Sequence, residues 1–420
     1  MFHILLFGAG KSATSLIRYL IAVAGPRGWR VTVADNDLEL VLSKTGSASC
    51  AQAMRVDVSD EAERDRIVAS ADVVISLLPP SLHYLVAQSC LRKSKHLLTA
   101  SYVDDTIRGM ARDVGAGKLL FLCEMGLDPG IDHMSALHFV ESVRQRGEKI
   151  VSFHSHTGGL VAPESDDNPW HYKISWNPRN VVRAGAAGAR FRQDGRVIER
   201  GYPELFDKAG RVLIRGMGEL AWYPNRDSMP YIDLYRLDEV STFVRTTLRS
   251  PEYCRGWAPI VRAGLTDDAV PLADPARLTV AEWAAPLLSF VNDDNRKLYD
   301  FLGFFDRQRV PANARSSADV LQWLLETRLA LRPTDKDMIV MQHDVGCLSG
   351  ATYKSTLIVT GEDALHTAMA RTVGLPLGIA AKLLLEGKIE LRGLQIPVSP
   401  ELYVPVLEEL KKEGIRFQED

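Results

Sequence analysis

The sequence predicts an α/β protein: a doubly wound parallel sheet first, then a second α/β domain with a mixed sheet and a small helical insertion. Three observations carry this. The chain opens on a strand, a glycine turn, an amphipathic helix and a second strand that ends on an acid. Strand-like and helix-like segments then alternate as far as Cys123. Beyond Gly130 that rhythm gives way to β-rich segments and later to a long helical stretch.

The opening stretch is the most informative. Residues 2–7 (FHILLF) read as a strand and Gly8-Ala9-Gly10 as the turn that leaves it. Ala13, Leu16, Ile17, Leu20, Ile21 and Ala24 recur at helical spacing. A strand over 29–34 ends on Asp35. Together these form the pattern of a Rossmann dinucleotide site. Gly8 allows the tight turn, and Gly10 has no side chain to hold a pyrophosphate away from the backbone. The helix start at Lys11 and Ser12 offers free N–H groups and a positive dipole end. Ala13 lets helix and strand pack closely. Asp35 can accept hydrogen bonds from both ribose hydroxyls and would repel a 2′-phosphate, which argues for NAD over NADP. A lone G-x-G-x-x-A is a frequent accident; strand, helix and acid in register make it a site.

The other elements follow in order. Residues 53–57 read as a third strand, 61–69 as an exposed charged helix, and 71–78 as a buried, almost wholly apolar strand that Pro79-Pro80 ends. A helix over 81–92, a strand over 96–100, a helix from Asp104 and a strand over 118–123 complete the alternation. Ligands of such sheets lie at the carboxyl ends of the strands. Those ends are Gly8, Asp35, Asp57-Val58, Leu78-Pro79, Ser101-Tyr102 and Glu124. Residues 131–145 read as a helix, 150–155 and 212–214 as strands, and Asp194-Gly195 as a hairpin turn within 190–198. The pattern is helical from 251 to 333, most clearly over 281–290 and 317–331. Strands return at 338–341 and 352–359, and helices over 362–373, 378–386 and 401–413 close the chain. The expected domains are therefore 1–129, then 130–250 with 334–373, with 251–333 inserted; helices from about 374 are expected to pack back on the first.

Composition excludes several classes of function. With 46% hydrophobic and 25% charged residues and a formal charge of −3, the chain is ordinary for a globular protein. The near-neutral balance leaves no electrostatic footprint for nucleic acid or an anionic membrane. Five scattered cysteines without a C-x-x-C pair fit reduced thiols in a cytosol better than disulfides or zinc. The apolar start lacks the basic flank and cleavage-type site of a signal peptide. No run reaches the ~18 apolar residues of a membrane span. A cytoplasmic location is the expectation.

Longer motifs add specificity. They are DVVISLLP (72–79), EMGLDPGIDH (124–133), GGLVAPESDDNP (158–169), YKISWNP (172–178), YPNRDS (223–228), KDMIVM (336–341) and TVGLPLGIAAKLLL (372–385). Carrying these in this order over nearly its whole length, the chain resembles the glutamate-forming saccharopine dehydrogenases, also called saccharopine reductases. The resemblance implies a Rossmann domain, an α/β substrate domain and a helical insertion. It also implies interconversion of saccharopine with L-glutamate and α-aminoadipate semialdehyde. One branch makes lysine with NADPH; another degrades lysine with NAD. The NADPH branch tends to carry a basic residue after the second strand. Ala34-Asp35-Asn36 has none, which favours the NAD branch. A homodimer is compatible with the resemblance, although the sequence itself does not give the oligomeric state.

The implied substrate is a secondary amine with three carboxylates, so a site needs cations and a group that manages the amine proton. The planar fork of arginine matches a carboxylate. Arg226 and Arg249 stand where the resemblance places substrate-binding arginines; a surface arginine is the bland alternative. The resemblance sets Tyr102 and Val103 against the substrate, and Ser101, Asp128, Pro129 and Gly130 against the cofactor. Tyr102 and Asp128 are the candidates for proton transfer. Their bland readings are a packed tyrosine and a turn or N-cap aspartate. Where the family commonly has a cysteine before Gly-Gly, this chain has Thr157, so no thiol role is carried over. His156 as a replacement acid–base group is weaker than His156 as a structural histidine, and His154 with His156 does not complete a metal site. Two other functions share some features. A carboxyspermidine-type dehydrogenase would take a cation, which wants acids where this chain offers Arg226 and Arg249. A non-catalytic NAD-binding regulator would bind NAD without turnover.

Overall fold

The computed structural model describes residues 1–420. The chain divides into two compact units, Met1–Ser142 with Ala368–Arg416, and Val143–Thr367 with Phe417–Asp420.

The first unit is built on a parallel sheet. Its strands are β1 (His3–Phe7), β2 (Arg30–Asp35), β3 (Ala51–Arg55), β4 (Val73–Ser76), β5 (His96–Thr99) and β6 (Leu120–Leu122). They lie in the order β3-β2-β1-β4-β5-β6, with a late strand, Gly393–Gln395, parallel beyond β6. The order reverses between β1 and β4, which is where such sheets open a crevice for ligands. Every residue of β1 and β4 is buried, as central strands covered on both faces must be. Helices α1 (Thr14–Arg27) and α2 (Leu38–Thr45) follow β1 and β2. Gly28, at φ +64°, ends α1 in the left-handed conformation, and the Asp37 carboxylate caps α2 by accepting from the Leu40 N–H. The sequence pattern did not reveal α2, because Leu38 and Leu42 are exposed on it.

The C-terminal helices differ from expectation. Residues 362–373 and 378–386 read as two helices; one helix, Ala368–Leu385, instead runs through Pro376. Residues before it turn because the Asp363 carboxylate captures the N–H groups of Leu365 and His366. Gly374 and Gly378 bring this helix onto α1, where a Cβ would stand 2.9 Å from Leu16 and 2.6 Å from Tyr19. By length and mean hydropathy alone this helix could cross a membrane, but Arg371 and Lys382 interrupt its apolar run and 83% of it is buried within the fold, as a core helix is. Residues 281–290 also split, into Val280–Trp283 and a 3₁₀ turn Ala285–Phe290, at Pro286, which has no N–H to continue a helix.

The second unit holds a mixed sheet. Its strands are β7 (Ile150–Val161), β8 (Ala189–Gln193), β9 (Arg196–Arg200), β10 (Gly210–Ile214), β11 (Gly218–Pro224), β12 (Arg226–Asp227), β13 (Thr242–Arg249), β14 (Asp337–Cys347) and β15 (Thr352–Thr360). The main path is β10-β11-β13-β7-β14-β15, ending on Gln418–Glu419. β13 and β7 are parallel, while β11, β14 and β15 join antiparallel. β8 and β9 form the expected hairpin. Asp194 and Gly195 both have positive φ, the backbone a tight primed turn requires. The helical stretch from Pro251–Arg262 to Ser317–Arg328 packs a core around Trp170, Tyr253, Trp257, Tyr299 and Phe304. All five cysteines are unpaired.

Candidate active site

The glycine turn has the shape its residues predict. Gly8 leaves β1 at φ +101°, and a Cβ there would stand 2.8 Å from the Leu77 carbonyl oxygen, so only glycine fits. A Cβ on Gly10 would meet nothing within 4 Å. Lys11–Ala13 forms a 3₁₀ turn without a side-chain cap and leads into α1, with Ala13 buried behind it. An open, uncapped helix start fits the diphosphate of a nicotinamide dinucleotide. Asp35, at the end of β2, accepts from the Ala9 N–H at 2.7 Å and from the Asp37 N–H at 3.1 Å. Each oxygen keeps a further lone pair for a ribose hydroxyl. Asn36 beside it is exposed.

Lys44 is a residue that sequence reasoning missed. Its Nζ reaches from α2 to donate to the Gly10 carbonyl at 2.7 Å. Burial pushes its pKa down to about 8, against the pull of the Asp35 charge. No spacing signals this contact, which exists only once α2 has folded beside the turn.

The other strand ends gather as the topology requires. After β3, Asp57 is exposed and takes the Ser59 hydroxyl and N–H, bonds that hold its carboxyl below the usual range. Val58 follows, its carbonyl accepting from the buried Arg64. Leu78 and exposed Pro79 follow β4. His83 bridges the next two ends, with Nδ1 2.8 Å from the Ser76 hydroxyl and Nε2 2.8 Å from that of Ser101. Burial pushes its pKa down to about 4, so it bridges as a neutral ring.

Tyr102 and Asp128 meet. The Tyr102 hydroxyl donates to Asp128 Oδ1 at 3.1 Å, joining the ends of β5 and β6. Behind them lies a buried acid–histidine–acid group. Glu124 sits at φ +59°, an uncommon conformation for a residue with a side chain. Its Oε1 accepts from the Val103 N–H at 3.3 Å and its Oε2 lies 3.0 Å from His133 Nε2. His133 Nδ1 lies 3.6 Å from Asp132 Oδ2, and Asp132 Oδ1 accepts from the Gly130 N–H at 2.6 Å. The group thus ties Val103, next to Tyr102, to Gly130, two residues from Asp128. Gly130 is obligatory, at φ +144° with Gly126 backbone where a Cβ would go. Replacing His133 by alanine withdraws the ring that both carboxylates share. The expected cost is about 3 kcal/mol, a melting temperature lower by about 3–4 °C for a chain of 420 residues in a thermal scan. An unchanged transition would mean that the carboxylates do not depend on it.

In the second unit, Arg249 lies in an aromatic cage. It is 3% exposed, with its guanidinium 5.1 Å from the Tyr172 ring centre and 5.3 Å from that of Tyr253. Nη1 donates to the Leu248 carbonyl, Nε has no hydrogen bond, and no carboxylate pairs with the group. The hydroxyls of Tyr223, Tyr253 and Thr157 and the Trp257 indole N–H are buried without hydrogen bonds too. Thr157 and Tyr223 are both in register with Thr247 of β13, on the sheet face that carries Arg249. Burial raises the Tyr223 hydroxyl to about 12 although Arg249 pulls it down, so it stays a neutral donor. Arg226 is placed differently. It is exposed on β12, beside β8, at φ +54°.

His156 does not replace the family cysteine. Neighbouring strand residues point to opposite faces, so His156 faces away from Thr157. It is buried, its Nδ1 2.6 Å from the Thr246 hydroxyl, and desolvation lowers its pKa well below the ordinary value. His154 stacks on it. These are structural histidines.

A doubly wound sheet with this turn and these strand ends defines a nicotinamide-nucleotide-binding α/β protein. Residues 4–121 match the family model described as the saccharopine dehydrogenase NADP binding domain, and 126–415 that of the saccharopine dehydrogenase C-terminal domain. The chain belongs to the saccharopine dehydrogenase family. Alpha-aminoadipic semialdehyde synthase of Arabidopsis thaliana is 34% identical over 88% of this chain and 38% of its own length. Saccharopine dehydrogenase [NADP(+), L-glutamate-forming] of Saccharomyces cerevisiae is 32% identical over 99% of this chain and 98% of its own. The chain thus spans well under half of the plant relative but nearly all of the yeast one. The apo structure of the yeast L-Glu-forming enzyme superposes with a TM-score of 0.87 at 31% identity, covering 100% of this chain and 99% of that one.

Proposed function

We propose that the chain oxidises saccharopine at its secondary amine, yielding L-glutamate and α-aminoadipate semialdehyde, with NAD as the preferred oxidant in lysine breakdown. One observation carries the substrate side. Arg249 is a buried cation without a counter-ion, surrounded by hydrogen-bonding groups without partners. Burying a charge in that state costs several kcal/mol, and buried polar groups in folded proteins are almost always satisfied. A carboxylate supplies the missing charge and the missing acceptors together, and saccharopine carries three. Arg226 is the second candidate for a carboxylate.

When bound, nicotinamide supplies the hydride acceptor for the carbon next to the amine. The protein manages the rest. Asp128 takes the amine proton, which frees the nitrogen lone pair to form the imine as the hydride departs. Tyr102, donating to Asp128, orients that carboxylate, which keeps the proton for the later step. Water then adds to the imine carbon, and the adduct collapses with the proton returned to the departing nitrogen of glutamate. The cofactor preference rests on the Asp35 carboxylate, which would sit against a 2′-phosphate. The yeast relative's name carries NADP, so the preference is a property to measure.

A spectrophotometric assay of the purified protein with saccharopine and each cofactor tests the reading. Saccharopine-dependent reduction of nicotinamide, with kcat/KM higher for NAD, is expected. No reduction with either cofactor would remove saccharopine as substrate, and a higher kcat/KM for NADP would remove the role given to Asp35.

A further inference from the structure

We infer that Lys44 completes the ribose end of the nucleotide site, so that discrimination at the 2′ position is set by an Asp35–Lys44 pair rather than by Asp35 alone. The inference rests on the nucleotide-site reading and is independent of saccharopine. Two side chains of opposite charge converge on the same turn from different elements. Asp35, ending β2, holds the Ala9 N–H at 2.7 Å. Lys44, from α2, holds the Gly10 carbonyl at 2.7 Å. An ammonium has three donors, and the one hydrogen bond of Lys44 goes to a neutral carbonyl. It forms no ion pair, although the Asp35 charge is near enough to act on it. Half-buried beside an open turn, it is a cation with donors to spare at the place where a nucleotide's ribose and phosphates come closest to the backbone.

The pair explains how one site can refuse a 2′-phosphate while holding a cation. A 2′-phosphate brings roughly −1.5 to −2 charges towards the Asp35 carboxylate, and that repulsion dominates while Asp35 is ionised. Hydroxyls, in contrast, donate to Asp35 and gain. With the Asp35 charge removed, the phosphate meets Lys44 instead. A single substitution is then enough to admit the 2′-phosphate, because the cation is already in place.

Isothermal titration of the full chain with AMP and with adenosine 2′,5′-bisphosphate reads this out. Asp35→Asn keeps an oxygen for the Ala9 N–H and removes the charge. It is expected to tighten the bisphosphate by about tenfold or more, the worth of one hydrogen bond to a charged group. In Asp35→Asn/Lys44→Gln that gain is expected to vanish, and in Asp35→Asn/Lys44→Arg to return. If the gain persists in the Lys44→Gln background, the lysine takes no part. If Lys44→Gln weakens AMP and bisphosphate alike, the lysine only staples the turn, and the inference also fails. If the unaltered protein binds neither probe, the nucleotide site itself is refuted, an outcome distinct from the other two.

Discussion

Asparagine at position 128 is expected to lower kcat for saccharopine oxidation by about 10²–10⁴-fold, the usual worth of a positioned acid–base group. The substitution keeps the size of the side chain and an oxygen to accept the Tyr102 hydroxyl, now at 3.1 Å from Oδ1. What it removes is the basicity. A turn or capping role would survive the change, because an amide caps nearly as well as a carboxylate. The two readings of Asp128 therefore separate on kcat. Tyr102→Phe adds a second arm. If the hydroxyl and the carboxylate act as one unit, the double variant costs no more than Asp128→Asn alone; independent roles would multiply. A kcat for Asp128→Asn within threefold of the unaltered enzyme would sink the assignment.

What the sequence reveals of this protein, and what it hides, follows from how local each feature is. Gly8, Gly10 and Asp35 are legible because a turn, a helix start and a strand end dictate their residue types over one short stretch. β1 and β4 are legible because burial on both faces leaves them almost no polar residue. Residues 362–373 mislead because their pattern continues into the helix that follows, while one carboxylate, that of Asp363, holds the start in a turn. Pro376 misleads in the other direction. It stands in the gap between the two expected helices, yet lies inside one helix that packs on α1 through Gly374 and Gly378. The Arg249 cage is invisible for a different reason. Tyr172, Tyr223, Tyr253 and Trp257 come from segments that only tertiary packing brings together, and each reads as an ordinary core aromatic. Lys44 is hidden in the same way, since its bond to the Gly10 carbonyl exists only once α2, which the sequence pattern does not show, has folded beside the turn. His156 was within reach: strand alternation alone sets it on the opposite face from Thr157.

Replacing Arg249 by methionine is expected to raise KM for saccharopine by about 30- to 1000-fold, or ~2–4 kcal/mol, the range for truncating one partner of a buried charge pair. The stability of the variant is as informative as its kinetics. An arginine kept for the fold would, on removal, lower the melting temperature. Arg249 has no counter-ion and leaves its Nε unbonded, so exchanging it for an apolar side chain that fills the same cage relieves an uncompensated charge. Such exchanges are often neutral or stabilising. The expected result is therefore a melting temperature that holds or rises while KM climbs, the opposition that marks a group retained for binding at a cost to the fold. Arg249→Lys keeps the charge but loses the planar fork, and its KM should fall between the two. A dicarboxylate such as glutarate adds a reading free of turnover. It should raise the melting temperature of the unaltered protein by mass action and leave that of Arg249→Met where it was. Equal shifts in both proteins would mean that the anion binds elsewhere and that the cage does not hold the substrate carboxylate.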